Sequence, residues 1–263
     1  MADFRFKKFV IRQDNCAMKV NTDGVLLAAW MELRPTDRYM LEIGTGSGVM
    51  AIMAAQRMVE MGHPVPGLSV TEIDAVEIDN FAAMDAEYNF KNVEWLGERV
   101  KLNLVNLPFE VYAQECGRKY DLIFSNPPYF SNSLKNPDQR KSLARHNDTL
   151  AQSVIIRNVL NLLAPGGRLA MILPVGEAAD FKRKTDFLYG AAKKGERVLV
   201  QTREALVKTN SNKAAKRVLL EFGYFDKSSP VSGVVEKSVV PVMEECKYSD
   251  VYRELTKAFY INF

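Results

Sequence analysis

The sequence predicts an α/β fold: a doubly wound, mostly parallel sheet of seven strands, the last running antiparallel to the rest. Three observations predict it. Short apolar runs alternate with helical periodicities from residue 39 onward, the pattern of a parallel sheet covered on both faces. A glycine-rich turn, LEIGTGSG at 41–48, joins the first run to the first helix. The tail carries two apolar runs, RVLVQT and KRVLLEFGYF, that can pair antiparallel.

YMLEIG (39–44) reads as the first strand, and VMAIMAAQRMVEM (49–61) as a helix rich in Ala and Met. HPVPG interrupts the chain, LSVTEIDAVEI (68–78) is strand-like, and NFAAMDAEYNF (80–90) returns to helix. VKLNLV (100–105) and YDLIF (120–124) are strands three and four. TLAQSVIIRNVLNLL (149–163) is a helix that APGG ends in the manner of a glycine C-cap. RLAMILP (168–174) is strand five. The whole chain reads as one domain, with residues 1–34 as an N-terminal extension expected to cover the site.

Composition narrows the classes. With 263 residues, 47% hydrophobic and 25% charged, the chain can bury a large core. No apolar run approaches the roughly 18 residues of a membrane span. The start, MADFRFKKFVIRQD, lacks a signal peptide's apolar centre, so a cytoplasmic protein with no membrane contact is expected. Cys16, Cys116 and Cys246 are odd in number and far apart, which suggests neither a disulfide framework nor a metal site; two histidines add no zinc set. Charge is unevenly spread. Residues 38–130 hold 7 basic and 13 acidic residues, whereas 135–217 hold 17 basic and 7 acidic. Such a basic half suits a phosphate-rich partner, although a run like KRK at 182–184 also suits a solvated helix face.

Gly44, Gly46 and Gly48 follow the first strand and precede a helix, where glycine lets the backbone turn tightly beneath a ligand. The spacing departs from the dinucleotide fingerprint because Val49 stands at the third glycine's position. Glu42, two residues before the first glycine, suits a ligand with a cationic amino group better than a pyrophosphate. A second acid is expected at the end of strand two to accept ribose hydroxyls. Glu77 is preferred there, with Asp74 in reserve, and Asn106 in LVNLPF offers hydrogen bonds to a base. Together these features resemble the class I S-adenosylmethionine-dependent methyltransferases, which implies a Rossmann-like fold and S-adenosyl-L-methionine as the cofactor.

Directly after strand four comes SNPPYF (125–130). Asn126–Tyr129 resemble the tetrapeptide of the amino-methyltransferases of this fold: Asp, Asn or Ser, two prolines and an aromatic ring. An exocyclic amine on adenine is a poor nucleophile because its lone pair is delocalised into the ring. Two acceptors, the Asn126 side-chain oxygen and the Pro127 carbonyl, would draw the nitrogen toward tetrahedral geometry and free that pair. Prolines fix φ and hold the acceptors before reaction. Tyr129 would stack on the base, worth roughly 1–3 kcal/mol. Phe130 either extends that wall or packs in the core.

The stretch FRFKKFVIRQDNCAMKVNTDGVLLAAW (4–30), with ARHNDTL and the ending YSDVYRELTKAFYINF, resembles the bacterial tRNA (adenine-N6)-methyltransferases that modify the adenine 3′ of the anticodon in valine tRNA. By this likeness Thr22 and Asp23 reach the methionine end of the cofactor. Lys19, Arg140, Lys141 and Arg145 are candidates for tRNA phosphates, surface charge being the other reading of Lys7, Lys8 and Lys19. A monomer acting on the anticodon stem-loop is expected. The rival readings are an N-methyltransferase acting on rRNA or on a protein glutamine amide, a nicotinamide-dependent dehydrogenase, and a non-catalytic tRNA-binding module.

Overall fold

The computed structural model describes residues 3–62, 70–128, 152–228 and 234–263. The expected break at HPVPG, the start of the helix expected from 149, and Tyr129, Phe130, Arg140, Lys141 and Arg145 lie outside them. Two short strands, β1 (Phe4–Arg5) and β2 (Val10–Ile11), form a small ribbon. The main sheet has nine strands. In chain order they are β3 (Tyr39–Ile43), β4 (Thr71–Val76), β5 (Val100–Val105), β6 (Tyr120–Ser125), β7 (Leu163–Pro174), β8 (Arg197–Asn210), β9 (Ala215–Asp226), β10 (Glu236–Glu244) and β11 (Lys247–Tyr248). Across the sheet they lie in the order β11-β10-β8-β9-β7-β6-β3-β4-β5.

The seven expected strands are β3 to β9, and among them β9 alone runs antiparallel, between β7 and β8. β10 adds to the β8 edge in parallel and β11 closes it antiparallel, so the sheet is two strands wider than expected. The central strands are buried on both faces, which explains why LIF and, apart from Glu42, MLEI read as apolar runs rather than alternating ones.

Helices cover both faces. On one lie α1 (Thr22–Trp30), α2 (Val49–Glu60), α3 (Asn80–Lys91) and, near the end, α7 (Asp250–Thr256). On the other lie α4 (Phe109–Glu115), α5 (Gln152–Leu162) and α6 (Val175–Ala191). The stretch before residue 35 is more than a cover. Gly24 to Trp30 are all buried, and Val25 to Ala28 sit in the same core as α2 and α7, so α1 is a core helix, apolar on every side. α6 shows the opposite pattern. Only Ala178, Phe181 and Thr185 are buried, a stripe too thin to stand out in the sequence.

APGG does not cap α5. Strand pairing resumes at once, with Leu163 opposite Tyr120, and then slips so that Arg168 faces Leu122. The four residues form a bulge within β7, and glycine is required in it. Gly166 has φ +77, and a Cβ on Gly167 would lie 2.8 Å from the Tyr120 carbonyl oxygen.

Just beyond the bulge, Arg168 forms a buried pair with Asp37, at 2.7 Å from Nη2 to Oδ2 and 3.2 Å from Nη1 to Oδ1. Nη2 also donates to the Glu32 carbonyl, so one guanidinium fastens the 32–37 segment to the sheet. Truncating Asp37→Ala leaves the buried guanidinium with only the half-exposed Glu32 carboxylate, 3.7 Å away, at a cost of about 3 kcal/mol. Thermal denaturation of that variant is expected to show Tm lowered by roughly 10 °C, and an unchanged Tm would show the pair to be dispensable.

Candidate active site

The C-terminal ends of β3, β4 and β6 converge on a cavity of about 310 Å³, within the roughly 300–1,000 Å³ range of small-molecule sites. Its walls are four loops and one strap: residues 43–47 after β3, 76–79 after β4, 107–110 after β5, 125–128 after β6, and Cys16 to Lys19 with Asn21 and Gly24.

The β3 loop has the backbone that its glycines allow. Gly44, Gly46 and Gly48 have φ of +73, +56 and +80, a region that side chains disfavour. The N–H groups of Gly44 and Thr45 donate to the Val76 carbonyl at 2.9 and 3.0 Å, tying the loop to the end of β4. Gly46 N–H donates to Glu77 Oε2 at 2.7 Å. Gly44 and Gly46 line the cavity, whereas Gly48 does not: it caps α2 and abuts Phe90, whose ring a Cβ would meet at 2.4 Å. Its expected place against a cofactor gives way to a packing role.

Glu42 lies fully buried beneath the loop and, like Gly48, is not a wall of the cavity. Oε2 accepts from Thr45 Oγ1 at 2.7 Å and from Ala51 N–H at 3.0 Å, while Oε1 has no partner among the described residues. Burial pushes its carboxyl up to about 8, against the pull of those two hydrogen bonds. An orphaned carboxylate oxygen in a water-poor site fits a ligand that brings its own ammonium group.

Of the two candidate acids on β4, Glu77 lines the cavity and Asp74 does not. Glu77 accepts from Gly46 N–H and, through Oε1, from Asp79 N–H at 2.9 Å; burial raises its pKa, and these backbone donors oppose the rise. Asp74 is committed elsewhere, accepting from Tyr120 and Tyr112 at 2.6 and 3.0 Å and from Asn103 at 2.8 Å. Asn106 is also outside the walls, its amide donating to the Glu77 carbonyl at 2.8 Å. Leu107, Pro108 and Phe109 stand in its place, an apolar wall suited to the face of a base, for which the run LPF was the available signal.

Asn126, Pro127 and Pro128 form the wall after β6. Ser125 Oγ donates to the Ile43 carbonyl at 2.8 Å, locking this corner to the start of the glycine loop. Opposite it, a Cβ on Gly24 would lie 3.7 Å from Asn126 Nδ2, so the first turn of α1 packs against the carboxamide. Thr22 and Asp23 are not cavity walls. Thr22 is exposed and Asp23 pairs with Arg217 at 2.7 Å; their neighbours Asn21 and Gly24 face inward. Lys19 lines the cavity but folds back, its ammonium donating to the Gln13 and Asp14 carbonyls. Sequence reasoning missed the strap residues Cys16, Ala17 and Met18 and the β4-loop residue Ile78, whose only signal is being apolar beside a motif. Among the described residues no acid, His or Cys cluster could hold a metal, and no helix is long and apolar enough to cross a membrane.

No family model matches the chain. It is 36% identical, over 99% of its length and 98% of the relative's, to the tRNA1(Val) (adenine(37)-N6)-methyltransferase of Trichodesmium erythraeum. Proteins of the same name from Bacteroides fragilis and Edwardsiella ictaluri are 37% and 33% identical, over 98% and 99% of this chain and 97% and 94% of theirs. Among solved structures, a protein of Agrobacterium tumefaciens described as an O-methyltransferase shares the fold, with TM-score 0.59, 15% identity, and 90% of this chain and 96% of that one covered. The TYW2 protein of Pyrococcus horikoshii, solved in complex with MeSAdo, has TM-score 0.52 and 13% identity, with 85% and 71% covered.

Glu42 makes the ligand-free protein pH-sensitive in a defined direction. A carboxyl raised in the folded state stabilises the fold fully below the ordinary carboxylate pKa, and that contribution is lost as pH rises toward 8. Glu42→Gln is therefore expected to raise Tm by several degrees at pH 8.5 and by little at pH 4.5. Equal shifts at both pH values, read by calorimetry, would mean that the carboxyl is not titrating.

Proposed function

The chain belongs to the family of bacterial tRNA1(Val) (adenine(37)-N6)-methyltransferases, and from that premise we propose that it methylates N6 of the adenine beside the anticodon of valine tRNA with S-adenosyl-L-methionine as donor. The observation that carries the reading is a single cavity whose walls include both the glycine loop and the Asn126–Pro128 corner. Donor site and amine site are thus contiguous.

The residues present fit the donor. Glu42 is not itself a wall, but its unpaired oxygen lies under the loop residues that are, where it would favour a ligand's ammonium group held on that loop. Glu77 takes backbone donors from Gly46, Ile78 and Asp79, and its carboxylate has acceptor capacity left for a ribose hydroxyl. Ile78 and the 107–109 wall would sandwich the adenine of the donor. The 16–24 strap would close the cavity and separate it from solvent. When bound, S-adenosyl-L-methionine supplies a sulfonium methyl group with a thioether as its built-in leaving group.

What the protein adds is acceptor geometry. The Asn126 side-chain oxygen and the Pro127 carbonyl take the two N–H bonds of the target amine, which pulls its lone pair out of conjugation and points it at the methyl. Pro127 is buried and both proline φ angles are fixed, so these acceptors need no reorganisation during reaction. The amine loses one proton after attack, and no strong base is required because the N-methylated aminium is acidic. Tyr129, next in the chain, is positioned by sequence to stack on the target base. An anticodon loop already presents unpaired bases, which lowers the cost of extruding one.

Asn126→Ala is expected to bind S-adenosylhomocysteine within about threefold of the wild type while losing on the order of 10²-fold in kcat. Incubation with total tRNA, digestion to nucleosides and quantification of N6-methyladenosine reads the turnover; calorimetry reads the binding. Near-normal turnover in this variant would remove the corner from the mechanism.

A further inference from the structure

We propose that the β8–β9 hairpin is a phosphate-binding finger that grips the RNA strand leading to the target adenine; this rests on the tRNA reading above and adds a surface to it. From Ala205 to Leu220 the chain carries Lys208, Lys213, Lys216 and Arg217 and no carboxylate. The hairpin is also at the right end of the sheet. Ser125 is level with Met171, Met171 with Leu220, and Pro174 with Arg217, so the strands of the hairpin continue past the level of Asn126 on the same edge. Lys216 is one residue beyond Arg217 on β9, a rise of about 3 Å, and Lys213 lies farther out, in the turn that precedes the strand.

A direct link joins the finger to the reacting corner. Arg217 Nε is 2.7 Å from Asp23 Oδ2, and Gly24, next in the chain, packs beside Asn126. Phosphates held by the hairpin would therefore be registered against the acceptors through one short ion pair. Cations nearer the middle of β8, and on α6 beside it, are spoken for: Lys182 pairs with Glu204 and Arg203 with Glu221. Lys213 and Lys216 differ. Both are exposed and have no carboxylate within ion-pair distance among the described residues. The turn itself is braced, with Lys213 N–H on the Asn210 carbonyl, Ser211 N–H on the Met243 carbonyl of β10, and Lys208 Nζ on the Ser211 carbonyl. A stiff finger bearing unpaired ammonium groups binds a phosphate backbone without paying to order itself. Lysine recognises phosphate as a point charge, so this contact positions the RNA and does not read sequence.

The test uses the full-length enzyme with its tRNA. Lys213→Glu with Lys216→Glu is expected to raise KM for tRNA by about tenfold or more and to leave kcat within about twofold. The slope of log affinity against log salt should shrink by roughly 1.4, since each single-strand phosphate contact contributes about 0.7. The Kd for S-adenosylhomocysteine and the Tm should stay at wild-type values. Lys193→Glu with Lys194→Glu makes the same charge change beyond the C-terminus of α6, at the far end of the sheet, and should leave KM unaltered. Lys213→Ser with Lys216→Ser gives the same readings with less perturbation should the reversed charges disturb folding. An unchanged KM and salt slope in the hairpin variants, with an active wild type, overturns the finger alone. Equal losses in the hairpin and the 193–194 variants overturn it too, because they would reflect bulk charge. A wild type that forms no N6-methyladenosine in tRNA overturns the substrate reading and the finger with it.

Discussion

One buried carboxamide holds the cavity together. Asn89 of α3 accepts from Arg12 N–H at 2.9 Å and donates to the carbonyls of Arg12 and Ser47, both at 2.8 Å. A single side chain thus joins the N-terminal strap to the glycine loop. One turn earlier, Asp85 extends the grip, accepting from the backbone N–H groups of Asn15 and Cys16 and from the Asn15 side chain. These contacts hold Asp85 below the ordinary carboxylate range even though burial acts the other way. Each backbone group at the strap that lost its partner would cost about 1–3 kcal/mol. The strap is therefore a fixed wall, seated on α3 by polar contacts rather than apolar ones, and the Cys16 thiol it carries is pushed up by burial and kept protonated.

Two buried acids show where stability yields to function. Glu42 and Glu77 both sit in water-poor surroundings that favour the neutral form, and each is only partly compensated by hydrogen bonds. A protein selected for stability alone would not bury Glu42 with an oxygen unpaired. A ligand that brought a cation near that oxygen would recover part of the desolvation cost on binding. The loop above Glu42 is stiff, because its glycines occupy left-handed backbone and its N–H groups are held by Val76 and Glu77.

Much of this was legible in the sequence, and what was hidden was hidden for physical reasons. Val100–Val105 was read to the residue because V-K-L-N-L alternates apolar and polar residues, the period of a partly buried strand, which here lies at the edge of the sheet. The glycine loop and the diproline corner were visible because unusual backbone needs unusual residues. Glu77 could be preferred to Asp74 because the helix start expected near Asp79–Asn80 sets the strand's C-terminal edge close to residue 77, and the helix does begin at Asn80 with Asp74 inside β4. α1 was obscure because VLLAAW is apolar on every side and so has no helical period to detect. β10 carries Pro241 and lies near the edge, where strand patterning is weakest. Thr22 and Asp23, expected near the cofactor, do not line the cavity: the Asn21 cap places Asn21 and Gly24 on its wall, while Thr22 is exposed and Asp23 pairs with Arg217.

Sheet topology explains why so little else is needed for catalysis. At β3 the strand order reverses, with β4 on one side and β6 on the other, so loops leaving β3 and β6 diverge toward opposite faces and open a crevice between them. Ile43 and Ser125, the last residues of their strands, are paired in register about one strand spacing apart, near 4.8 Å, so the loops that begin with Gly44 and Asn126 leave the sheet side by side. That separation is set by backbone hydrogen bonds and reinforced by the Ser125 hydroxyl on the Ile43 carbonyl. It cannot widen without breaking the centre of the sheet. An amine held by the corner and a methyl donor held by the loop, as proposed, would then be neighbours by construction. Their proximity is paid for when the chain folds, which removes the largest entropic part of a two-substrate reaction from the turnover itself.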